Sequence, residues 1–122
     1  MAELNRNLRV IVCGGRDYTD RKTVFAFLDK FVPGTVIEGG ATGADNLAAA
    51  WAKANGAELI TVRADWATYG RAAGPLRNQR MLAEFEPHGV IAFPGGKGTE
   101  NMKQQARLAG VNVVEVWGVR DV

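Results

Sequence analysis

The chain has 122 residues, 47% of them apolar and 23% charged, with a formal net charge of +2. That length suits one globular domain over residues 1–122, and the weak, dispersed positive charge is too little to argue for a duplex-DNA surface, while it suits an anionic small molecule. A single cysteine excludes an intrachain disulfide. The absence of a signal-peptide core in residues 1–7, or of any run near the ~20 apolar residues a bilayer requires, predicts a cytoplasmic protein with no membrane partner.

Residues 8–13 are apolar and β-branched and end at Gly14-Gly15, the pattern of a strand buried on both faces, in which Cys13 is a buried residue rather than a reactive thiol. Thr19 or Asp20 can cap a helix whose Val24, Phe25, Leu28 and Phe31 recur at helical spacing, with Pro33-Gly34 as its stop. A second strand over 35–38 leads to an alanine-rich helix over 44–55, with Leu47, Trp51 and Ala54 on one face and Gly56 at its end. A third strand over 58–62 is followed by a long connection, 63–74, before Pro75 opens a third helix at its first position. A strand over 90–93, a helix over 99–109 stopped by Gly110, and a strand over 113–116 complete the series.

Strands alternating with helices predict a single three-layer α/β domain with a mostly parallel five-stranded sheet and right-handed crossovers, order 3-2-1-4-5. Ligands of such sheets bind beyond the C-terminal strand ends, near the reversal of strand order. With that order, three glycine-rich turns converge on one crevice: Gly14-Gly15-Arg16-Asp17, then Gly39-Gly40-Ala41-Thr42-Gly43-Ala44-Asp45, then Pro94-Gly95-Gly96-Lys97-Gly98-Thr99.

Each turn presents backbone N–H groups to an anion. The last lacks the GxxxxGK[ST] spacing, which disfavours triphosphate hydrolysis, but the N–H groups of Gly96, Gly98 and Thr99 with the Thr99 hydroxyl suit a monophosphate. In the second, Thr42 can cap the following helix with Asp45 three residues on, or Asp45 can meet a ribose hydroxyl. In the third helix Asn78 falls within the apolar face of Met81, Leu82 and Phe85, with Arg77 at its edge. An inward Arg-Asn pair there suits an anion or a sugar, or else Arg77 pairs with a carboxylate such as Glu38 or Asp45 and Asn78 bonds to a turn. Trp66 and Tyr69, beside Arg63, Asp65 and Arg71, have the composition of a lid that stacks on a base, or of ordinary packing. Nothing calls for a cofactor or a metal: His88 is the single histidine, no serine is present, and His88 receives no catalytic role. Trp51 and Trp117 read as core or interface residues.

As a set, the three turns together with Ala64-Asp65-Trp66 and Gly74-Pro75-Leu76-Arg77-Asn78 resemble the YspA-type branch of the SLOG superfamily. The resemblance spans most of the chain and implies a Rossmann-like fold and a nucleotide-type ligand. The superfamily also includes the Lonely Guy phosphoribohydrolases and the DprA-like DNA-processing proteins. The phosphoribohydrolases carry PGGxGTxxE, whose glutamate helps release base from a nucleoside monophosphate; here that position is Met102, and Glu100 lies about 200° around the helix from it.

The leading expectation is therefore a sensor-type domain binding a nucleotide or nucleotide derivative. The phosphate would lie on the turns at 95–99 and 40–43, with Arg77 as clamp and Asn78 or Asp45 on ribose. The alternative is an N-glycosidase acting on nucleoside 5′-monophosphates, with Asp45 or Asp65 in place of the missing glutamate. A single-stranded-DNA accessory role, through Arg63, Arg71, Arg77 and Arg80, is less favoured. The family resemblance, with Trp51 and Trp117, leaves a homo-oligomer open.

Overall fold

The computed structural model describes residues 3–117. Five parallel strands, β1 (Asn5–Cys13), β2 (Pro33–Glu38), β3 (Glu58–Thr61), β4 (Gly89–Ala92) and β5 (Asn112–Glu115), form one sheet in the order 3-2-1-4-5. The helices are α1 (Arg21–Phe31), α2 (Ala44–Asn55), a single turn α3 (Trp66–Tyr69), α4 (Ala73–Phe85) and α5 (Lys97–Leu108), with a 3-10 turn over Gly70–Ala72 between α3 and α4. The fold is thus the three-layer, Rossmann-like arrangement expected. No helix of the described residues is long and apolar enough to cross a membrane.

The period-two alternation of β1 divides the core. Val10 and Val12 face a layer containing Val24, Leu28 and Trp51 from α1 and α2, while Ile11 faces Met81, Met102 and Ala106 from α4 and α5. β1 is central, its Ile11 opposite Ile37 on one side and Val90 on the other, which is why its inner half is apolar on both faces. Trp51 is fully buried and donates its Nε1 to Asp29 at 2.8 Å, so it belongs to the core and offers nothing to a second copy. Trp117 is exposed.

Three local expectations are corrected. Pro33-Gly34 do not stop α1; Val32 caps it in the left-handed region at φ 43°, and Pro33 starts β2. A proline is tolerated at a strand start, and a side chain at Gly34 would meet the backbone of Asn5 and Arg6 in β1. Ala54 is exposed, and the buried face of α2 is Ala44, Asp45, Ala48, Trp51 and Ala52. The connection 63–74 is mostly helical, and α4 begins two residues before Pro75, which sits within the first turn, where its missing N–H costs nothing.

Candidate ligand-binding site

The strand order carries the three glycine turns to the same edge of the sheet, and they touch. Gly15 N–H donates to Pro94 O at 2.8 Å, and Ala44 N–H donates to Gly15 O at 3.1 Å. Contact this close leaves no room for side chains: a Cβ on Gly14 would lie 2.6 Å from that of Ala44, and one on Gly43, whose φ is 74°, would strike Gly15 O. Above them lies a cavity of about 980 Å³ at the C-terminal strand ends.

Its floor is a polar network built on α4. Arg77 donates Nη1 to Gly39 O at 3.1 Å and Nε to Asn78 Oδ1 at 2.9 Å, leaving Nη2 with no hydrogen-bond partner among the described residues. Asn78, 4% exposed, donates Nδ2 to Gly98 O at 3.3 Å and to Asn101 Oδ1 at 3.1 Å. The Asp45 carboxylate turns back to its own turn, its Oδ2 accepting from Gly39 N–H at 3.1 Å and Ala41 N–H at 3.2 Å. Neither Asp45 nor Glu38 forms an ion pair with Arg77. Buried Glu38 is held by Gly40 N–H at 2.7 Å and by the Thr61 hydroxyl.

Burial dominates the electrostatics. It pushes the Asp45 carboxyl up to about 6 against the opposing pull of the Ala41 N–H, with Glu38 adding to the rise. It also holds the Arg77 guanidinium below the usual arginine range, Asp45 countering. The Cys13 thiol is raised to about 12, by burial first and then by Asp45.

At the β4 side the cavity meets the N-terminus of α5. The N-cap, Gly96, supplies no side-chain cap, so the first N–H groups of the helix are free to meet an anion. Thr99 is 5% exposed, lines the cavity, and its hydroxyl makes no hydrogen bond among the described residues. Met102, where the phosphoribohydrolase glutamate would stand, is a buried lining residue from the apolar core.

The cavity gathers most of the residues named from the sequence: Gly14, Gly15, Arg16, Gly39, Gly40, Ala41, Thr42, Asp45, Trp66, Arg77, Asn78, Gly96, Lys97, Gly98 and Thr99. Gly43 lies behind it, at the turn contact with Gly15. Pro94 and Gly95 line a separate recess with Glu100, Lys103 and Glu115. Thr42 is not the cap of α2, whose N-cap is Gly43; its hydroxyl donates to Arg16 O at 3.0 Å. Asp65, a candidate carboxylate, instead caps α3 by accepting from Thr68 N–H at 3.1 Å, and neither it nor Tyr69 lines the cavity. Sequence reasoning passed over Asn101 and read Met81 as part of a helix's apolar face alone, though both line the cavity; the i,i+4 pair Asn101 and Gln105 on one face of α5, bonded at 2.7 Å, was the available signal for the first.

The family profile described as YspA, cpYpsA-related SLOG family matches residues 8–69. The Gene 61 protein of Mycobacterium phage D29 is 36% identical over 118 residues, covering 87% of this chain and 94% of that protein. DNA processing protein A (DprA) from Streptococcus pneumoniae shares the fold at a TM-score of 0.70 and 22% identity over 92% of this chain, which spans about half (51%) of that structure. Sequence and fold agree, and the chain belongs to the YspA, cpYpsA-related SLOG family.

Proposed function

We propose that the cavity binds a nucleotide or nucleotide derivative, its phosphate on the N-terminus of α5, Arg77 as clamp and Asn78 or Asp45 near the ribose. The observation that carries this reading is the N-terminus of α5, which opens on the cavity with no side-chain cap and with Thr99 beside it. The glycines add support: Gly96 and Gly98 have no positive φ, and a Cβ on either would meet nothing within 4 Å, so folding alone does not require them. A phosphate approaching the backbone does.

Calorimetric titration with adenosine 5′-monophosphate tests it. Thr99→Val keeps the shape and removes the hydroxyl, and is expected to weaken binding about tenfold, within the ~1.5–3 kcal/mol of a hydrogen bond to a charged group, with little change in stability. Equal affinity in the two proteins would remove the phosphate from this helix.

A second reading, base release from a nucleoside monophosphate, is favoured by one feature: the Asp45 carboxyl lines the cavity and titrates near neutrality, at about 6. Water would add at C1′ as the N-glycosidic bond breaks and the base leaves with a proton, the ionised Asp45 stabilising the positive charge at C1′. Free base released by the wild type and not by Asp45→Asn supports it; no base from any monophosphate leaves a binding domain.

A further inference from the structure

We infer that the cavity has two anion subsites and takes a nucleotide carrying two phosphates that are not adjacent. The inference rests on the nucleotide reading above and adds the second subsite to it. The first subsite is the N-terminus of α5, on the β4 side. The second lies on the β3 side, where Arg16, Arg63 and Arg71 line the cavity and form no ion pair among the described residues.

Two of these arginines are held in place by contacts that leave their charge unneutralised. Arg63 follows β3 and donates Nη1 to Gly40 O at 3.2 Å, so its head lies over the β2 turn. The Arg16 guanidinium sits 5.6 Å from the centroid of the Trp66 ring. Among the described residues the single carboxylate lining the cavity is that of Asp45, already engaged by two backbone N–H groups. With Arg77 and Lys97, five cationic side chains therefore face one carboxylate. Like charges gathered around one mouth repel one another, and an anion relieves that repulsion.

The sheet order sets the separation. The Arg63 head lies over the turn after β2, and β2 and β4 have β1 between them, two interstrand spacings or ~10 Å. One phosphate cannot serve both ends, and the adjacent phosphates of a diphosphate stop short as well. The cavity, about 980 Å³, stands near the top of the usual small-molecule range, which fits a ligand longer than a mononucleotide.

The test is calorimetric titration at fixed ionic strength with adenosine 5′-monophosphate, ADP, adenosine 3′,5′-bisphosphate, the 5′-phosphorylated dinucleotide pApA and a twelve-nucleotide single-stranded oligomer. Wild type is compared with the double variant Arg63→Gln/Arg71→Gln, both positions being exposed. In the wild type the bisphosphate or the dinucleotide is expected to bind at least tenfold tighter than the monophosphate, with ADP gaining less; in the double variant that ratio falls to near one. Monophosphate binding with no gain from a second phosphate, or a gain that survives in the double variant, overturns the second subsite and leaves the nucleotide reading standing. Failure of every probe to bind the wild type overturns both. Affinity that keeps rising through a twelve-nucleotide oligomer overturns the two-subsite ligand in favour of a nucleic-acid track.

Discussion

Arg77 donates Nε to the side-chain oxygen of its neighbour Asn78 at 2.9 Å, joining two side chains that consecutive helix positions ordinarily send apart. The pair acts as one strut. Its Arg77 end reaches Gly39 O in the turn after β2, and its Asn78 end reaches Gly98 O in the first turn of α5, so α4 ties together two of the backbone segments that frame the cavity.

Asn78→Asp separates the two ends of that strut. The carboxylate can still accept from Arg77, but it cannot donate to Gly98 O or Asn101 Oδ1, and it turns a bond into a repulsion. With Asn78 96% buried, a loss of about 1–3 kcal/mol and several degrees in the unfolding midpoint is expected without any ligand present. Thermal unfolding of the free protein checks it. An unchanged midpoint would mean that Asn78 serves a ligand alone.

Gly98→Ala tests the opposite kind of position. Gly98 is the second residue of α5, its added Cβ would meet open space, and alanine is the better helix former by up to about 1 kcal/mol. Stability should hold or rise slightly. Affinity for a 5′-monophosphate should fall, because the methyl group stands where a phosphate meets the N–H groups. Titration and unfolding on the same sample separate the two effects; lower stability with intact binding would assign the glycine to the fold.

The fold was legible because alternating strand and helix signals, with apolar runs at both central strands, admit few arrangements, and the three glycine turns marked the ligand edge. What was not legible depended on the exact backbone path of short turns and on strand pairing. Asp45 has the spacing of a capping box, yet its carboxylate bonds to the N–H groups of Gly39 and Ala41, which the tight turn before α2 places within reach. Asp65 looks the equal of Asp45 as a candidate carboxylate in a one-dimensional reading, and only the one-turn helix α3 shows it occupied as a cap. Pro33-Gly34 carries a stop signal that belongs to β2, because the close approach of β1 is invisible until the strands pair.

Cys13 lines the cavity, but its thiol is held near 12, so at pH 8 the nucleophilic thiolate is almost absent from the folded protein. The native protein should resist iodoacetamide at pH 8 and label fast once unfolded in urea, where the thiol returns to its ordinary value of 9.0. Labelling followed by mass spectrometry across a urea series should then track unfolding. Rapid modification of the native protein at pH 8 would show the thiol far more acidic than its burial implies.

The Asp45 carboxyl moves the other way from most surface acids. Its folded value of about 6 stands above the unfolded 3.8, so between those values the folded state holds more proton and stability falls as pH rises. The penalty is fully present above pH 6, at most roughly 3 kcal/mol, and disappears below pH 4. Asp45→Asn keeps an oxygen that can accept from Gly39 and Ala41 while carrying no charge. It should therefore be more stable than the wild type at pH 7.5, with the gap closing toward pH 4. Urea unfolding of both proteins across that range measures it, and parallel stability curves would mean that Asp45 ionises normally. The same charge opposes a bound phosphate, so at pH 7.5 a monophosphate should bind the variant more tightly unless Asp45 itself holds the ribose, in which case affinity drops.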